Sequence, residues 1–185
     1  MLQHVFPWWL GFLLVSPLRR LWQGPEKVLA PYVREGMTVL EPGPGMGFFT
    51  LELARLVGPS GRVVAVDIQP RMLTALRRRA ARAGLSKRLD TRLVSANTLG
   101  LADLDGAVGF TLAFGVVHEL PAVAPFFAEV AKASKEGAGL LFAEPASQVK
   151  TSDFEAELQA ATGAGFELAG RPSIPRSRAA FLRRV

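Results

Sequence analysis

The chain has 185 residues, of which 49% are hydrophobic and 21% charged, enough for one domain around one well-filled core. It has no cysteine, which excludes disulfides, thiolate zinc sites and thiol catalysis, and its two histidines, His4 and His118, cannot build a three-histidine metal centre. No Asp/Glu cluster replaces one, so no metal is expected, and the net charge of +6 comes mostly from arginine. Arg77, Arg78, Arg79, Arg82 and Arg88 in the middle and Arg176, Arg178, Arg183 and Arg184 at the end read as a solvated helix face and a basic tail. Base-stacking aromatics are not interleaved with them, so nucleic acid is not an expected partner.

The most apolar stretch comes first. Its uninterrupted part, residues 6–15, is shorter than the roughly 20 residues that span a bilayer. With no basic n-region and no A-x-A site it does not read as a signal peptide, and the expected compartment is the cytoplasm. Two readings stay open: residues 1–36 form a helical lid, or the segment lies on a membrane surface as a peripheral anchor. Residues 37–185 then form the main domain.

Residues 37–41, "MTVLE", read as a buried strand, followed by a glycine loop and a helix near 48–57. "RVVAVD", 62–67, is a second strand of β-branched character ending on an acid. Pro70 suits a helix first turn, and Met72, Leu73, Leu76, Ala80 and Ala83 share one face up to Gly84. "TRLVSA" (91–96) and "GFTLAFGVV" (109–117) are the third and fourth strands. A helix at 123–133, a turn at Gly137 and Gly139, and a fifth strand "GLLFAEP" follow. A helix at 152–161, capped by Ser152 or Asp153, precedes two strands in an antiparallel hairpin. Strands alternating with helices of about a dozen residues predict a doubly wound α/β fold, seven-stranded and mostly parallel, with helices on both faces and an antiparallel C-terminal strand. Ligands of such sheets bind outside the carboxyl ends of the strands.

The loop "EPGPGMG" places Gly43, Gly45 and Gly47 after the first strand, where positive φ and bare backbone let a ligand lie close. The N–H groups opening the next helix would point at the same place. A dinucleotide fingerprint needs glycine at position 48, which is Phe48, and a Walker loop needs Gly-Lys-Ser/Thr, which is absent. Asp67, 20 residues after Gly47, can accept hydrogen bonds from two vicinal ribose hydroxyls.

Together, E-x-G-x-G-x-G at 41–47, Asp67, and "FTLAFGVVHEL" resemble the class I S-adenosylmethionine-dependent methyltransferases. The resemblance runs from about residue 37 to the end and is nearest the small-molecule branch of ubiquinone/menaquinone C-methyltransferases and arsenite methyltransferase-like proteins. It implies the Rossmann-like form of the fold described above, S-adenosyl-L-methionine as cofactor and S-adenosyl-L-homocysteine as product. It implies that Gly43, Gly45 and Gly47 pass under the cofactor, Glu41 faces its ammonium group, Asp67 holds the ribose diol and Ile68 packs on the adenine. Asn97 is the candidate acceptor for the adenine amino group, with a plain turn residue as the equal alternative.

A sulfonium methyl group is already activated, so displacement needs positioning rather than a catalytic triad. The stretch "FGVVHEL" stands where enzymes acting on nucleobase amines carry N-P-P-Y or D-P-P-Y, which argues against base methylation. The absence of cysteine argues against arsenite as acceptor. His118 and Glu119, past the fourth strand, are the candidates for proton transfer, with His118 as base or as mere pocket lining. Glu144, Trp8, Trp9, Phe12 and Tyr32 are candidates to contact a small, apolar acceptor. The expected function is methyl transfer to such a molecule. The alternatives are a non-catalytic cofactor-binding or regulatory module and a nucleic-acid methyltransferase. The sequence sets no oligomeric state.

Overall fold

The computed structural model describes residues 24–185. Residues 1–23 of the lid or anchor expectation, with Trp8, Trp9 and Phe12, lie outside them. The described residues carry a seven-stranded, mostly parallel sheet with one antiparallel strand near the C-terminus. The chain divides between Val94 and Ser95 into two compact units, each with its own strands and helices.

The first unit holds α1 (Pro25–Leu29), β1 (Thr38–Pro42), α2 (Thr50–Leu56), β2 (Arg62–Asp67), α3 (Pro70–Arg82) and β3 (Leu89–Leu93). β1 pairs with β2 and β2 with β3, both parallel, so Glu41 lies opposite Ala65 and Asp67 opposite Leu93. α3 starts on Pro70 and buries Met72, Leu73, Leu76 and Ala80, the stripe read from the sequence apart from Ala83, its C-cap. It packs on β2 and β3, and α2 packs on β2.

The second unit holds β4 (Val108–Phe114), α4 (Val123–Ala133), β5 (Ser134–Pro145), α5 (Thr151–Gly163), β6 (Phe166–Gly170) and β7 (Ser177–Arg184). β4 and β5 are parallel, and β7 runs antiparallel to both β5 and β6. Its core is aromatic: Phe127 meets Phe142 edge to face at 5.7 Å, and Phe142 stacks on Phe154 at 4.8 Å between centroids. That stack fixes α5 against β5.

Four expectations are corrected. The third strand is 89–93 rather than 91–96, ending where Val94 donates to the Asp67 carbonyl and the chain turns away. The fourth ends at Phe114 because Gly115 takes φ +66° and a short 3-10 turn follows at Val117–Glu119. The expected turn at Gly137 is a wide bulge inside β5, whose register steps from Ser134 to Gly139 between Val108 and Phe110. Neither Ser152 nor Asp153 caps α5, which starts at Thr151 after Lys150; the Ser152 hydroxyl donates to Asp153 instead.

Several arginines read as solvated are structural clamps. Arg79 donates to the Met46 carbonyl, Arg88 to that of Ala54, and Arg184 to those of Ala131 and Gly165. Arg178 spans the connection after β5, donating to the carbonyls of Ala146 and Val149 and to the Thr151 hydroxyl.

Candidate active site

In the first unit, the loop between β1 and α2 is built as its glycines require. Gly43, Gly45 and Gly47 take φ of +64°, +53° and +84°. Gly43 donates to the Val66 carbonyl at 2.9 Å, which ties the loop to β2, and Gly47 donates to that of Pro44 at 3.0 Å. A side chain at Gly47 would collide with Leu76 of α3, whereas one at Gly45 would point into open space. Gly47 therefore serves packing, and Gly45 leaves bare backbone with none of the described residues over it. The helix that follows is shorter than expected, seven residues from Thr50, so the loop's own backbone forms this surface.

Two acids stand at the carboxyl ends of β1 and β2. Glu41 is only 4% exposed, and its Oε2 has no hydrogen-bond partner among the described residues. Burial pushes its carboxyl up to about 8; the Thr50 hydroxyl offsets part of this without forming a good hydrogen bond, and the charge of Asp67 adds to it. Asp67 accepts the Gln69 N–H at 2.8 Å, and the Gly45 and Ile68 amides also favour its charged form. Burial outweighs them and lifts it to about 6. An unpartnered carboxylate in a dry site is unfavourable unless a cation arrives. Ile68, next in line, is an exposed large apolar side chain.

The other named residues divide. Tyr32, half-buried after α1, has its hydroxyl raised by burial. Asn97 sits exposed in a turn beyond β3, which Glu129 braces by accepting from the Leu99 amide at 2.9 Å and the Thr98 hydroxyl at 3.0 Å.

In the second unit, His118 and Glu144 come together across 26 residues of sequence. His118 lies in the turn after β4, and its Nδ1 bonds Oε2 of the fully buried Glu144, near the end of β5. The other Glu144 oxygen accepts the Val117 N–H at 2.8 Å, locking the carboxylate in place. The second ring nitrogen of His118 faces Oε1 of the exposed Gln148 at 3.0 Å. Glu144 raises the imidazole's pKa above its ordinary value, against burial, with Glu119 contributing at longer range. Glu157 of α5 is buried nearby with Oε2 unpartnered; burial and the charge of Glu144 lift it to about 7.

Gln148 and Glu157 were missed by sequence reasoning. Glu157 had a readable signal, being a carboxylate on the apolar stripe Phe154, Leu158, Ala161 of its helix. Gln148 had none, since it reaches His118 only through the turn after β5.

Residues 33–169 match the family model described as a methyltransferase domain, so the chain belongs to that family. The fold is that of the S-adenosylmethionine-dependent methyltransferases. The crystal structure of such an enzyme from Aquifex aeolicus superposes with a TM-score of 0.86 at 26% identity, covering 98% of this chain and all of that one. The ubiquinone/menaquinone biosynthesis C-methyltransferase of Pseudomonas paraeruginosa is 31% identical over 150 residues, covering 78% of this chain and 56% of the relative. Protein-L-isoaspartate O-methyltransferase of Methanothrix thermoacetophila is 47% identical over 51 residues, 28% of this chain and 24% of the relative. The chain thus spans from about a quarter to about half the length of these curated relatives.

Proposed function

We propose that the chain is an enzyme that transfers the methyl group of S-adenosylmethionine to a small molecule. The observation that carries this is Glu41: a buried carboxylate with one orphaned oxygen, at a strand's carboxyl end, beside a glycine loop with open space above Gly45. A ligand with an ammonium group satisfies that oxygen. Asp67 would hold a ribose diol with its remaining lone pairs, and Ile68 offers an apolar surface to the adenine ring. The residues present therefore fit the cofactor, which when bound supplies an electrophilic methyl group on a sulfonium. The chain's own residues have to bind, orient and keep water out, since the donor needs no further activation.

The acceptor side is assigned to the second unit's polar cluster, at the ends of β4 and β5. Glu144 holds the His118 ring in one orientation through Nδ1, leaving Nε2 at the surface edge of the cluster. Among the described residues no helix is long and apolar enough to cross a membrane. Calorimetric titration tests the reading: S-adenosylhomocysteine binds and NAD does not. Asp67→Ala removes hydrogen bonds to a charged group, worth about 1.5–3 kcal/mol. Unchanged affinity in that variant would remove the assignment.

A further inference from the structure

Both ring nitrogens of His118 are engaged by oxygen atoms that can only accept. Nδ1 meets the Glu144 carboxylate, which is fully buried and pinned at its other oxygen by the Val117 amide. Nε2 meets the amide oxygen of Gln148 at 3.0 Å. A ring with an acceptor at each nitrogen carries a hydrogen on each, and it then has no lone pair with which to take a proton. We infer, on the reading of the chain as a methyltransferase, that His118 serves the acceptor as a fixed cationic donor through Nε2–H rather than as a base, with Gln148 the stand-in that an acceptor oxygen displaces.

The exposure of the two partners gives this direction. Glu144 is sealed in and cannot leave, whereas Gln148 is exposed on the turn after β5 and can swing away. What replaces it must offer what it offered, an oxygen accepting a hydrogen bond. This selects the acceptor class. A phenolate or enolate, its proton already given up to solvent with the positive ring favouring the anion, can accept Nε2–H on one oxygen lone pair and still attack through another lone pair or through the carbon that the oxygen activates. An amine that accepted the same hydrogen would have no electron pair left for the methyl group. The charges around the ring are Glu144 from β5, Glu119 from its own turn and Glu157 from α5. All three carry negative charge when ionised and so favour the imidazolium. Glu157, with an orphaned oxygen and a carboxyl near 7, keeps part of this negative charge quenched by its own proton at neutral pH.

The test reads the ring and a probe on the whole chain. By NMR, His118 should titrate with a midpoint above 6.5 in the wild type and lower in Glu144→Gln. 4-Nitrophenol, whose ionisation is visible by absorbance, should move the His118 resonances and ionise with a midpoint about one unit lower when bound. His118→Ala should abolish that shift, and Gln148→Ala should tighten probe binding several-fold by removing the competitor. 4-Nitrobenzylamine should leave the His118 resonances in place. A wild-type midpoint at or below 6.5 would overturn the inference, as would unmoved resonances at saturating 4-nitrophenol or a shift that persists in His118→Ala. S-adenosylhomocysteine is titrated into the same samples. Its binding without a probe effect overturns the donor role alone, whereas its failure to bind overturns the methyltransferase reading while the ring titration still judges the charge state of His118.

Discussion

Cofactor binding should release a proton from Glu41. In the free protein that carboxyl sits near 8, because it is buried with an unpartnered oxygen. At pH 7 only about a tenth of it is ionised, and at pH 6 about a hundredth. An ammonium group needs the carboxylate, so affinity for S-adenosylhomocysteine should rise about tenfold per pH unit between 6 and 7 and level off near 8. The shift from 4.5 to about 8 is worth on the order of 5 kcal/mol, fully felt above the higher value. The sign for stability follows: the folded state binds this proton more tightly than the unfolded chain. Stability is therefore greatest below the unfolded value and is lost as pH rises toward 8, until a bound cation restores it. Calorimetry in buffers of different ionisation enthalpy counts the released proton, expected near one per ligand at pH 6.5. Glu41→Gln should bind more weakly at pH 8, flatten the slope between 6.5 and 8, and lose less thermal stability over that range. Asp67, raised to about 6, keeps its own lower limb in that variant. A wild-type affinity independent of pH from 6 to 8, or a Glu41→Gln variant with the wild-type slope, would refute the reasoning.

Gly45→Ala and Gly47→Ala should separate binding from folding. Gly47→Ala meets Leu76 and a strained φ and should lose about 2–5 kcal/mol in denaturant unfolding, whereas Gly45→Ala should lose only about 1–2 kcal/mol yet block the cofactor. Phe154→Ala breaks the stack on Phe142 and should destabilise by about 3–5 kcal/mol in thermal unfolding. Arg178→Ala removes two carbonyl contacts and should speed amide exchange roughly tenfold in residues 146–151, with little change in β1–β3.

Much of this was legible because local pattern and tertiary demand agree. The β-branched run 62–67 and the apolar stretch 123–133 are strand and helix at the bounds that the sequence indicates. The loop glycines announced positive φ, and all three have it. What was not legible depends on partners far along the chain. Strand β5 begins at Ser134 because pairing with Val108 draws in residues before the glycines. Ser152 looked like a cap, but the helix starts one residue earlier and the hydroxyl finds Asp153. Base and pocket lining stayed open for His118 because nothing nearby in sequence shows that Glu144 and Gln148 close on its ring.

The most direct measurement is a crystal structure of the chain with S-adenosylhomocysteine. The ligand's amino nitrogen should lie within hydrogen-bond distance of Glu41 Oε2, its ribose hydroxyls on Asp67, and its backbone over Gly45. A ligand bound elsewhere, or bound there with the Glu41 oxygen still unpartnered, would contradict it.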